Sequence, residues 1–259
     1  MRRKQLFELY DYGWFPALWR DMITDVLSEF EEDTRIYAPV AGLLAPLAER
    51  EDEFAIVDLC SGGGHPIVIV LDAMDEGVAA RTRVTLTDLF PNVPAFEAVS
   101  RESGGKIEYS AEPVDATAVP EDLQGFRTFF SSFHHFDRDT ALAILRDAVE
   151  KGQGIGIFEY TERRLFKLWY WWVLPPFWLL WNTLKARPLN WRKVFWTCIV
   201  PVVPLVIGWD APVSCMRTYS VEELEELVAE LGDCGYSWQA GTVDSREPFR
   251  VIYLVGHPS

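Results

Sequence analysis

Several residues that can bind a ligand or move a proton stand directly after apolar residues in this sequence. Three of them are carboxylates, Asp58, Asp88 and Asp115, which can accept hydrogen bonds from sugar hydroxyls or hold a positive charge. Two adjacent histidines, His134 and His135, can exchange a proton near neutral pH. Hydroxyl recognition and proton transfer are therefore the chemistry that these positions offer.

A glycine-rich segment follows the first of these acids. Residues 56–66 read IVDLCSGGGHP, in which an apolar run ends at Asp58 and three glycines precede a proline, namely Gly62, Gly63 and Gly64. This order is typical of a buried strand, a tight turn and a helix with proline near its start. Because glycine has no Cβ atom, a ligand can approach the backbone of such a turn closely. We therefore expect a nucleoside-bearing cofactor at this turn.

The surrounding segments alternate between strand-like and helix-like patterns. Five apolar runs predict strands: Phe54–Leu59, Arg83–Thr87, Lys106–Ser110, Phe126–Ser132 and Gly154–Tyr160. Helix-like segments separate most of them, so we predict an α/β fold with a doubly wound, Rossmann-like and mostly parallel sheet. Two last strands, Tyr236–Val243 and Arg250–Gly256, follow a capping box at Ser220 and are expected to pair antiparallel.

Ligands of open α/β sheets bind outside the carboxyl ends of the strands, where these candidate residues would meet. Asp88 follows the second strand, a position from which an acid can accept two ribose hydroxyls. No basic residue lies in the glycine turn, which disfavours a pyrophosphate and favours a cofactor that carries positive charge. The dinucleotide fingerprint is also incomplete, because Ile67 stands where its third glycine is expected.

Four motifs in this order resemble the class I S-adenosylmethionine-dependent methyltransferases. They are VDLCSGGGH at 57–65, LTDL at 86–89, VDAT at 114–117 and FFSSFHHF at 129–136. The resemblance implies that the glycine turn holds the methionyl part of S-adenosylmethionine, that Asp88 binds its ribose, and that S-adenosylhomocysteine is the product. It further implies that Asp115 and Ala116 lie against the adenine and that Ser131 and Phe133 border the methyl-transfer site. Asp58, Cys60 and Leu89 complete the expected cofactor contacts.

Structural roles remain open for several of these residues. Asp58 can hold the amides of the turn, Asp88 can cap a helix, and Asp115 can be an ordinary turn residue. The family commonly has glycine at the position of Cys60, where this thiol can simply pack beneath the turn. The four cysteines have no CxxC spacing, so we expect no metal site.

Three residues are candidates for contact with the nucleophile: His134, His135 and Tyr160. A histidine could act as general base, and it could equally pack against the loop that follows the fourth strand. Methyl transfer from a sulfonium needs no strong base, because holding the reacting atoms in line supplies much of the rate.

The segment from Arg163 to Trp209 is unusual in both charge and composition. It contains seven basic residues, no acid and eight of the eleven tryptophans. Its apolar runs, Leu168–Leu184 and Val194–Trp209, are short and interrupted by prolines, which disfavours two spanning helices. We expect a hairpin at an anionic membrane surface, with a lid over the pocket or a homodimer interface as alternatives. The net charge of −15 argues against nucleic acid as a partner.

These observations divide the chain into four parts: an N-terminal helical cap at 1–50, a cofactor-binding core at 51–162, the insert at 163–210 and a C-terminal helix and strand pair at 211–259. Aromatic residues of the cap, among them Tyr37, are candidates for lining the pocket. The N-terminal sequence lacks a signal-peptide pattern, which favours a cytoplasmic protein, with peripheral attachment to the inner face of the membrane as an option.

The expected function is methyl transfer from S-adenosylmethionine to a small, lipophilic acceptor, with a membrane surface as a candidate location. Two alternatives remain open at this point. One is an NAD(P)-dependent oxidoreductase, and the other is a non-catalytic, membrane-associated module that retains the cofactor fold.

Overall fold

The computed structural model describes residues 2–164, 177–181, 183, 190–246 and 249–259. Two compact units make up the chain. We call Phe30–Tyr160 with Tyr219–Ser259 the sheet unit, and Met1–Glu29 with Thr161–Thr218 the aromatic unit. Each unit combines segments that are far apart in the sequence.

Seven strands form one sheet in the sheet unit, in the order β3-β2-β1-β4-β5-β7-β6. Strands β1 to β5 pair in parallel, whereas β7 runs antiparallel to both β5 and β6. This confirms the predicted Rossmann-like sheet with an antiparallel C-terminal pair. The strands are β1 (Phe54–Asp58), β2 (Thr82–Leu86), β3 (Ile107–Tyr109), β4 (Phe126–Phe130), β5 (Ile155–Glu159), β6 (Tyr236–Asp244) and β7 (Arg250–Pro258).

The helices differ from the sequence prediction mainly near the N-terminus and after the glycine turn. The predicted helical cap at 1–50 is not helical at its start, where only a 3₁₀ turn at Leu9–Asp11 precedes the first α-helix. The helix expected after the glycine turn ends at Ala73, where Met74 is extended, and a separate helix follows. In chain order the α-helices are α1 (Ala17–Thr34), α2 (Ala41–Ala48), α3 (His65–Ala73), α4 (Glu76–Arg81), α5 (Val93–Glu102), α6 (Arg138–Glu150), α7 (Trp191–Val194), α8 (Val202–Arg217) and α9 (Val221–Ala229).

Side-chain caps explain where several helices begin. At α9 the Glu223 amide donates to the Ser220 hydroxyl, while the Ser220 amide donates to the Glu223 carboxylate, which confirms the predicted capping box. The Asp137 carboxylate accepts from the Thr140 amide at 2.9 Å and starts α6. These local contacts orient α6 and α9, which cover the sheet.

The core of the sheet unit lies between the central strands and these two helices. Val57, Phe129 and Ile157 pack there with Leu145 of α6 and Leu224 of α9. All five residues of β4 and all five of β5 are buried. Such continuous burial is expected for central parallel strands that are covered on both faces.

A buried cation lies within this sheet, on β4. Arg127 on β4 has no exposed surface, and its Nη1 donates to Oδ2 of Asp147 on α6 at 2.7 Å. Lys151 Nζ lies 2.5 Å from the other oxygen of the same carboxylate. Asp147 therefore neutralises the buried guanidinium and connects β4 to α6.

The aromatic unit has a core of its own. Phe15 and Met22, near the start of the chain, pack with Val203, Val206 and Ile207 of α8. The rings of Trp19 and Trp196 meet at 5.1 Å between centroids, and Lys193 Nζ lies 2.9 Å from the Asp25 carboxylate. The N-terminal segment and the end of the tryptophan-rich insert therefore fold together.

The described part of the insert is helical and sharply bent. Helix α7 continues into a π-helical turn at Phe195–Ile199, and α8 starts after a break at Val200-Pro201. Within the described residues no single helix is long and apolar enough to cross a membrane, whereas the bent pair Trp191–Ile199 and Val202–Arg217, which meets at 67°, passes the same test when taken together. Most of the predicted apolar run Leu168–Leu184 lies outside the described residues.

Replacing the buried counter-ion tests the role of Asp147. We expect Asp147→Ala to lower the free energy of unfolding by about 3–5 kcal/mol, because it leaves the Arg127 charge buried and unpaired. The double variant Arg127→Met with Asp147→Ala should lose less, since it removes the charge as well. Urea denaturation followed by circular dichroism measures both changes.

An exposed ion pair provides the control for this prediction. Glu53 and Arg83 lie 3.1 Å apart, and more than half of each side chain is exposed, so Glu53→Ala should cost less than about 1 kcal/mol. Equal losses of unfolding free energy in Asp147→Ala and in the double variant would contradict the role of Asp147 as the counter-ion of Arg127.

Candidate active site

The turn after β1 is fixed by hydrogen bonds to the end of β2. The backbone carbonyl of Asp58 accepts from the Ser61 hydroxyl at 2.8 Å and from both the hydroxyl and the amide of Thr87 at 2.9 Å. The Ser61 amide donates to the Thr87 carbonyl, and the Gly64 amide donates to the Ser61 carbonyl. Hydrogen bonds within the protein therefore fix the shape of the turn.

Glycine is sterically required at the end of this turn. Gly64 has φ +79°, and a Cβ atom there would lie 2.7 Å from Cδ1 of Leu86. Gly62 is also left-handed, with φ +57°, whereas the backbone of Gly63 is buried. The predicted glycines thus build the turn, and Gly62 is the more exposed of the first two.

Cys60 adopts a left-handed backbone conformation, which glycine adopts most easily. Its φ is +56°, a left-handed value that a non-glycine residue adopts only at a cost. The side chain packs partly against the core, and burial, followed by the charges of Asp88 and Asp58, raises the pKa of its thiol well above the usual value. The thiol therefore stays protonated at neutral pH and is a poor nucleophile.

Two acids at the strand ends are held in fixed orientations. The buried Asp58 carboxylate accepts from the Thr128 hydroxyl at 2.6 Å. Burial raises the pKa of Asp58 to about 7, and the Asp88 charge adds to this rise, although the Thr128 hydrogen bond lowers it. The Asp88 carboxylate accepts from the amides of Gly62 at 3.0 Å and Phe90 at 2.9 Å. Asp88 is thereby placed beside the glycine turn.

The third predicted acid lies near Asp88. The Val114 amide donates to the Asp88 carbonyl at 2.9 Å, which brings the VDAT motif next to the end of β2. Asp115 is exposed and its carboxylate accepts from the amide and hydroxyl of Thr117, while Ala116 is buried. Leu89, the residue after Asp88 in the chain, is 48% exposed. An exposed acid and an exposed apolar residue are therefore both available near Asp88.

Two residues predicted to border the methyl-transfer site, Ser131 and Phe133, follow β4, and their side chains lie in different surroundings. Ser131 has φ +41°, and its Oγ accepts from the Tyr37 hydroxyl at 2.7 Å and from the Tyr160 amide at 3.4 Å. Phe133 is fully buried and packs on Phe129 and Tyr219 in the core. Ser131 thus lies at the strand end, whereas the ring of Phe133 lies in the core.

The predicted catalytic histidines lie side by side after β4. The His134 amide donates to Glu159 Oε1 at 3.0 Å, and its ring Nδ1 lies 2.8 Å from Oε2 of the same carboxylate. Burial acts to raise the pKa of Glu159, but the charge and hydrogen bonds of His134 outweigh it and hold that pKa below its ordinary value. The partly exposed His135 ring lies 4.3 Å from the His134 ring. Glu159 therefore stays ionised and fixes His134.

Tyr160, the third catalytic candidate, is part of an aromatic cluster. Its buried ring lies 5.7 Å from that of Tyr37 and 5.9 Å from that of Phe30. Burial raises the pKa of the Tyr37 hydroxyl well above its ordinary value, so this phenol remains a hydrogen-bond donor.

Sequence reasoning missed Glu31, a carboxylate on the last turn of α1 that is 7% exposed. Burial raises its pKa to about 8, and the charges of Glu32 and Asp58 add to the effect. It stands within the stretch Glu29–Asp33, where four of five residues are acids, which is typical of a solvated helix face. Nothing in that pattern distinguishes the one acid that faces inward.

Comparison with known proteins identifies the architecture. No family model and no curated protein matches the chain. The plantazolicin methyltransferase BpumL, solved in complex with SAH, matches over 93% of this chain and 96% of its own, with a TM-score of 0.55 and 10% identity. The methyltransferase domain of bacterial CtHen1-C matches over 88% and 98%, with a TM-score of 0.51 and 11% identity. The chain has the fold of the S-adenosylmethionine-dependent methyltransferases.

Another methyltransferase-fold match is longer than this chain. An O-methyltransferase family protein from Burkholderia thailandensis is 14% identical, with a TM-score of 0.51. The match covers 93% of this chain but 59% of that protein. At identities this low, the structural match establishes a shared fold and nothing more. The activity has to be inferred from the residues at the sheet edge.

The residues at the strand ends fit the cofactor of this fold. The turn from Asp58 to Gly64 contains no basic residue, and the buried Asp58 and the amide-bound Asp88 make its surroundings acidic. A pyrophosphate would be repelled there, whereas a cofactor with ribose hydroxyls and a net positive methionyl sulfur is complementary.

Substitutions at Cys60 test the left-handed turn. We expect Cys60→Gly to leave the free energy of unfolding unchanged or to raise it by up to about 1 kcal/mol, because glycine relieves the strain. Cys60→Val should lower it by about 2 kcal/mol, since a β-branched side chain tolerates positive φ least. Thermal unfolding measures both.

Cys234 is the matched control, because it is also partly exposed and lacks a positive φ. The change Cys234→Val should cost less than Cys60→Val. If both substitutions to valine cost the same, backbone strain at Cys60 is not the reason.

Proposed function

We propose that the chain is an enzyme that transfers the methyl group of S-adenosylmethionine to a small, lipophilic acceptor and releases S-adenosylhomocysteine. The observation that carries the proposal is the acidic turn itself, in which the amide of Gly62 donates to the Asp88 carboxylate beside the buried Asp58. The methyltransferase fold supports it, and so does the absence of a third glycine at Ile67, which disfavours a dinucleotide.

Each part of the turn has a proposed role in binding. Asp88 accepts ribose hydroxyls, and Leu89, Asp115 and Ala116 adjoin the adenine. The backbone of the glycine turn approaches the methionyl part, and Asp58 supplies an acid at the start of that turn. When bound, S-adenosylmethionine supplies a methyl group that is already activated by its sulfonium.

His134 is the proposed general base for an acceptor that loses a proton. The charged ring stabilises the Glu159 carboxylate; once His134 has lost one proton, the Glu159 hydrogen bond keeps the remaining proton on Nδ1 and leaves the lone pair on Nε2. Glu159 acts through His134 and is a positioning residue. Ser131 and Tyr160 border the acceptor, and His135 adjoins His134.

Calorimetric titration with S-adenosylmethionine, S-adenosylhomocysteine and NADH tests the proposed cofactor. We expect the first two to bind and NADH not to bind. Asp88→Ala should weaken both by at least about tenfold, because it removes charge-assisted hydrogen bonds to the ribose. Exposed Asp52, which lies before β1, provides the control substitution Asp52→Ala.

Tight binding of NADH alone would favour an oxidoreductase and contradict the proposal. Binding of S-adenosylmethionine without methylation of any lipid-extract component would favour the non-catalytic module.

We further propose that the aromatic unit contacts an anionic membrane surface. Of the 15 large hydrophobic residues that are exposed in the described chain, 13 belong to this unit. Trp191 is 71% exposed and Leu205 is 70% exposed, on the two arms of the bent helix pair. Basic residues and an absence of acids mark the same segment, Arg163–Trp209, which is complementary to anionic lipid.

Co-sedimentation with vesicles tests this contact. The wild-type chain should bind vesicles that contain phosphatidylserine more tightly than neutral vesicles, and salt should weaken the binding. Trp191→Ser and Leu205→Ser should each weaken vesicle binding by about tenfold, because each removes one apolar side chain that the membrane would bury. Phe90→Ser is the control, since Phe90 is 52% exposed but belongs to the sheet unit.

Unchanged vesicle binding in Trp191→Ser and Leu205→Ser would overturn the membrane proposal. A change of molecular mass in size-exclusion chromatography, with no effect on vesicles, would instead identify the surface as a homodimer interface.

A further inference from the structure

Glu31 belongs to the sheet unit, and the residues next to it are tied to the candidate site. The Glu32 carboxylate lies 3.3 Å from Nε2 of His65, the first residue of α3 after the glycine turn. The Tyr37 hydroxyl donates to Ser131 Oγ at the end of β4. These two contacts hold the end of α1 beside both the glycine turn and the strand end.

The Glu31 carboxylate has no hydrogen-bond or ion-pair partner within the described part of the chain, although the residue is 7% exposed. The titratable groups that reach it are Glu32 on its own helix, Asp58 at the end of β1 and the Tyr37 hydroxyl. None of these supplies a positive charge. A buried carboxylate in such surroundings is stabilised either by a proton or by a cation that comes from outside the chain.

We propose that Glu31, beside Asp58, is a specificity residue that binds the sulfonium charge of S-adenosylmethionine and thereby distinguishes the methyl donor from S-adenosylhomocysteine. This inference rests on the proposed function. The two molecules share their adenosine, ammonium and carboxylate groups, so the charge on sulfur is the difference that a carboxylate can detect. A donor that binds more tightly than its product also reduces product inhibition.

The position of Glu31 favours the sulfonium over the ammonium of the cofactor. After burial, the charge of Glu31 is the next cause that raises the pKa of the Tyr37 hydroxyl, and Tyr37 donates to Ser131, which borders the proposed methyl-transfer site. The sulfur has to lie at that site for the methyl group to reach an acceptor. The ammonium, by contrast, belongs to the part of the cofactor that adjoins the glycine turn.

Proton release should accompany binding, and its sign follows from the protonation of Glu31 in the free protein. Burial raises the pKa of Glu31 to about 8, so Glu31 is mainly protonated at pH 7 when no ligand is bound. A cation within about 4–6 Å lowers the pKa of a carboxylate by about 1–3 units. Linkage then requires the affinity for S-adenosylmethionine to rise as the pH increases from about 6 to about 8 and to level off above that range. The neutral thioether of the product gives no such rise through Glu31.

Calorimetry on the full chain, at about pH 6, 7 and 8.5 in buffers of two ionisation enthalpies, measures affinity and proton release together. For the wild type we expect the ratio of the dissociation constants, S-adenosylhomocysteine over S-adenosylmethionine, to rise about tenfold over this range. In Glu31→Gln the rise should disappear, and the ratio at about pH 8.5 should fall about tenfold. The affinity for S-adenosylhomocysteine should stay within about twofold.

Two further variants separate charge recognition from damage to the fold. Glu32→Gln changes the neighbouring carboxylate, which is 54% exposed, and should keep the wild-type preference. Glu31→Asp retains a carboxylate and should restore proton release that Glu31→Gln loses. Thermal unfolding of each variant establishes that it is folded.

An unchanged ratio in Glu31→Gln would overturn the inference, and so would an equal loss of affinity for both molecules, because Glu31 would then bind a group that they share. If the wild type binds neither molecule, the proposed function fails instead. The two failures are therefore distinguishable.

Discussion

The concentration of carboxylates at one edge of a parallel sheet is the constraint on which the candidate site depends. Parallel pairing of β1 with β2 and β4 brings the ends of these strands to the same edge, and acids stand at or just after the first two. Asp58 and Glu31 are buried there, and burial raises their pKa values to about 7 and about 8. A cation lowers the energy of such a site, whereas a phosphate raises it. This electrostatic preference separates a methyl-donor site from a dinucleotide site on the same kind of fold.

The sheet and its glycine turn could be predicted from the sequence because local patterns determine them. Aromatic and apolar residues predict β4 and β5, which are fully buried although β4 also carries Arg127, and the capping box at Ser220 predicts the start of α9. The motif from Asp58 to Gly64 predicts a turn whose positive φ angles the structure contains. The strand limits agree to within about two residues, since hydrogen bonding to neighbouring strands decides the last residue of each.

Residues whose roles depend on distant contacts could not be predicted. Glu31 resembles its exposed neighbours in sequence, and its burial follows from where α1 ends beside α3 and the end of β4. Phe133 belongs to the motif after β4, but the 3₁₀ turn at Phe133–His135 directs its ring towards Phe129 and Tyr219 in the core. The union of 1–29 with 161–218 in one unit depends on packing between segments more than a hundred residues apart, such as Trp19 against Trp196. Periodicity describes which face of a segment is apolar and does not identify the segment that covers it.

The tryptophan-rich segment and the cofactor turn differ in the sign of their charge. Seven of the 24 basic residues and none of the 39 acids lie between Arg163 and Trp209, which leaves 17 basic and 39 acidic residues elsewhere. Under the proposed membrane contact, an anionic surface would attract the first group and repel the second before any apolar contact forms. Exposed rings such as Trp191 would then gain burial in the interfacial region, where tryptophan is most stable. A methyl acceptor that concentrates in lipid would be available at that same surface, and the acidic turn would select its positively charged donor from water.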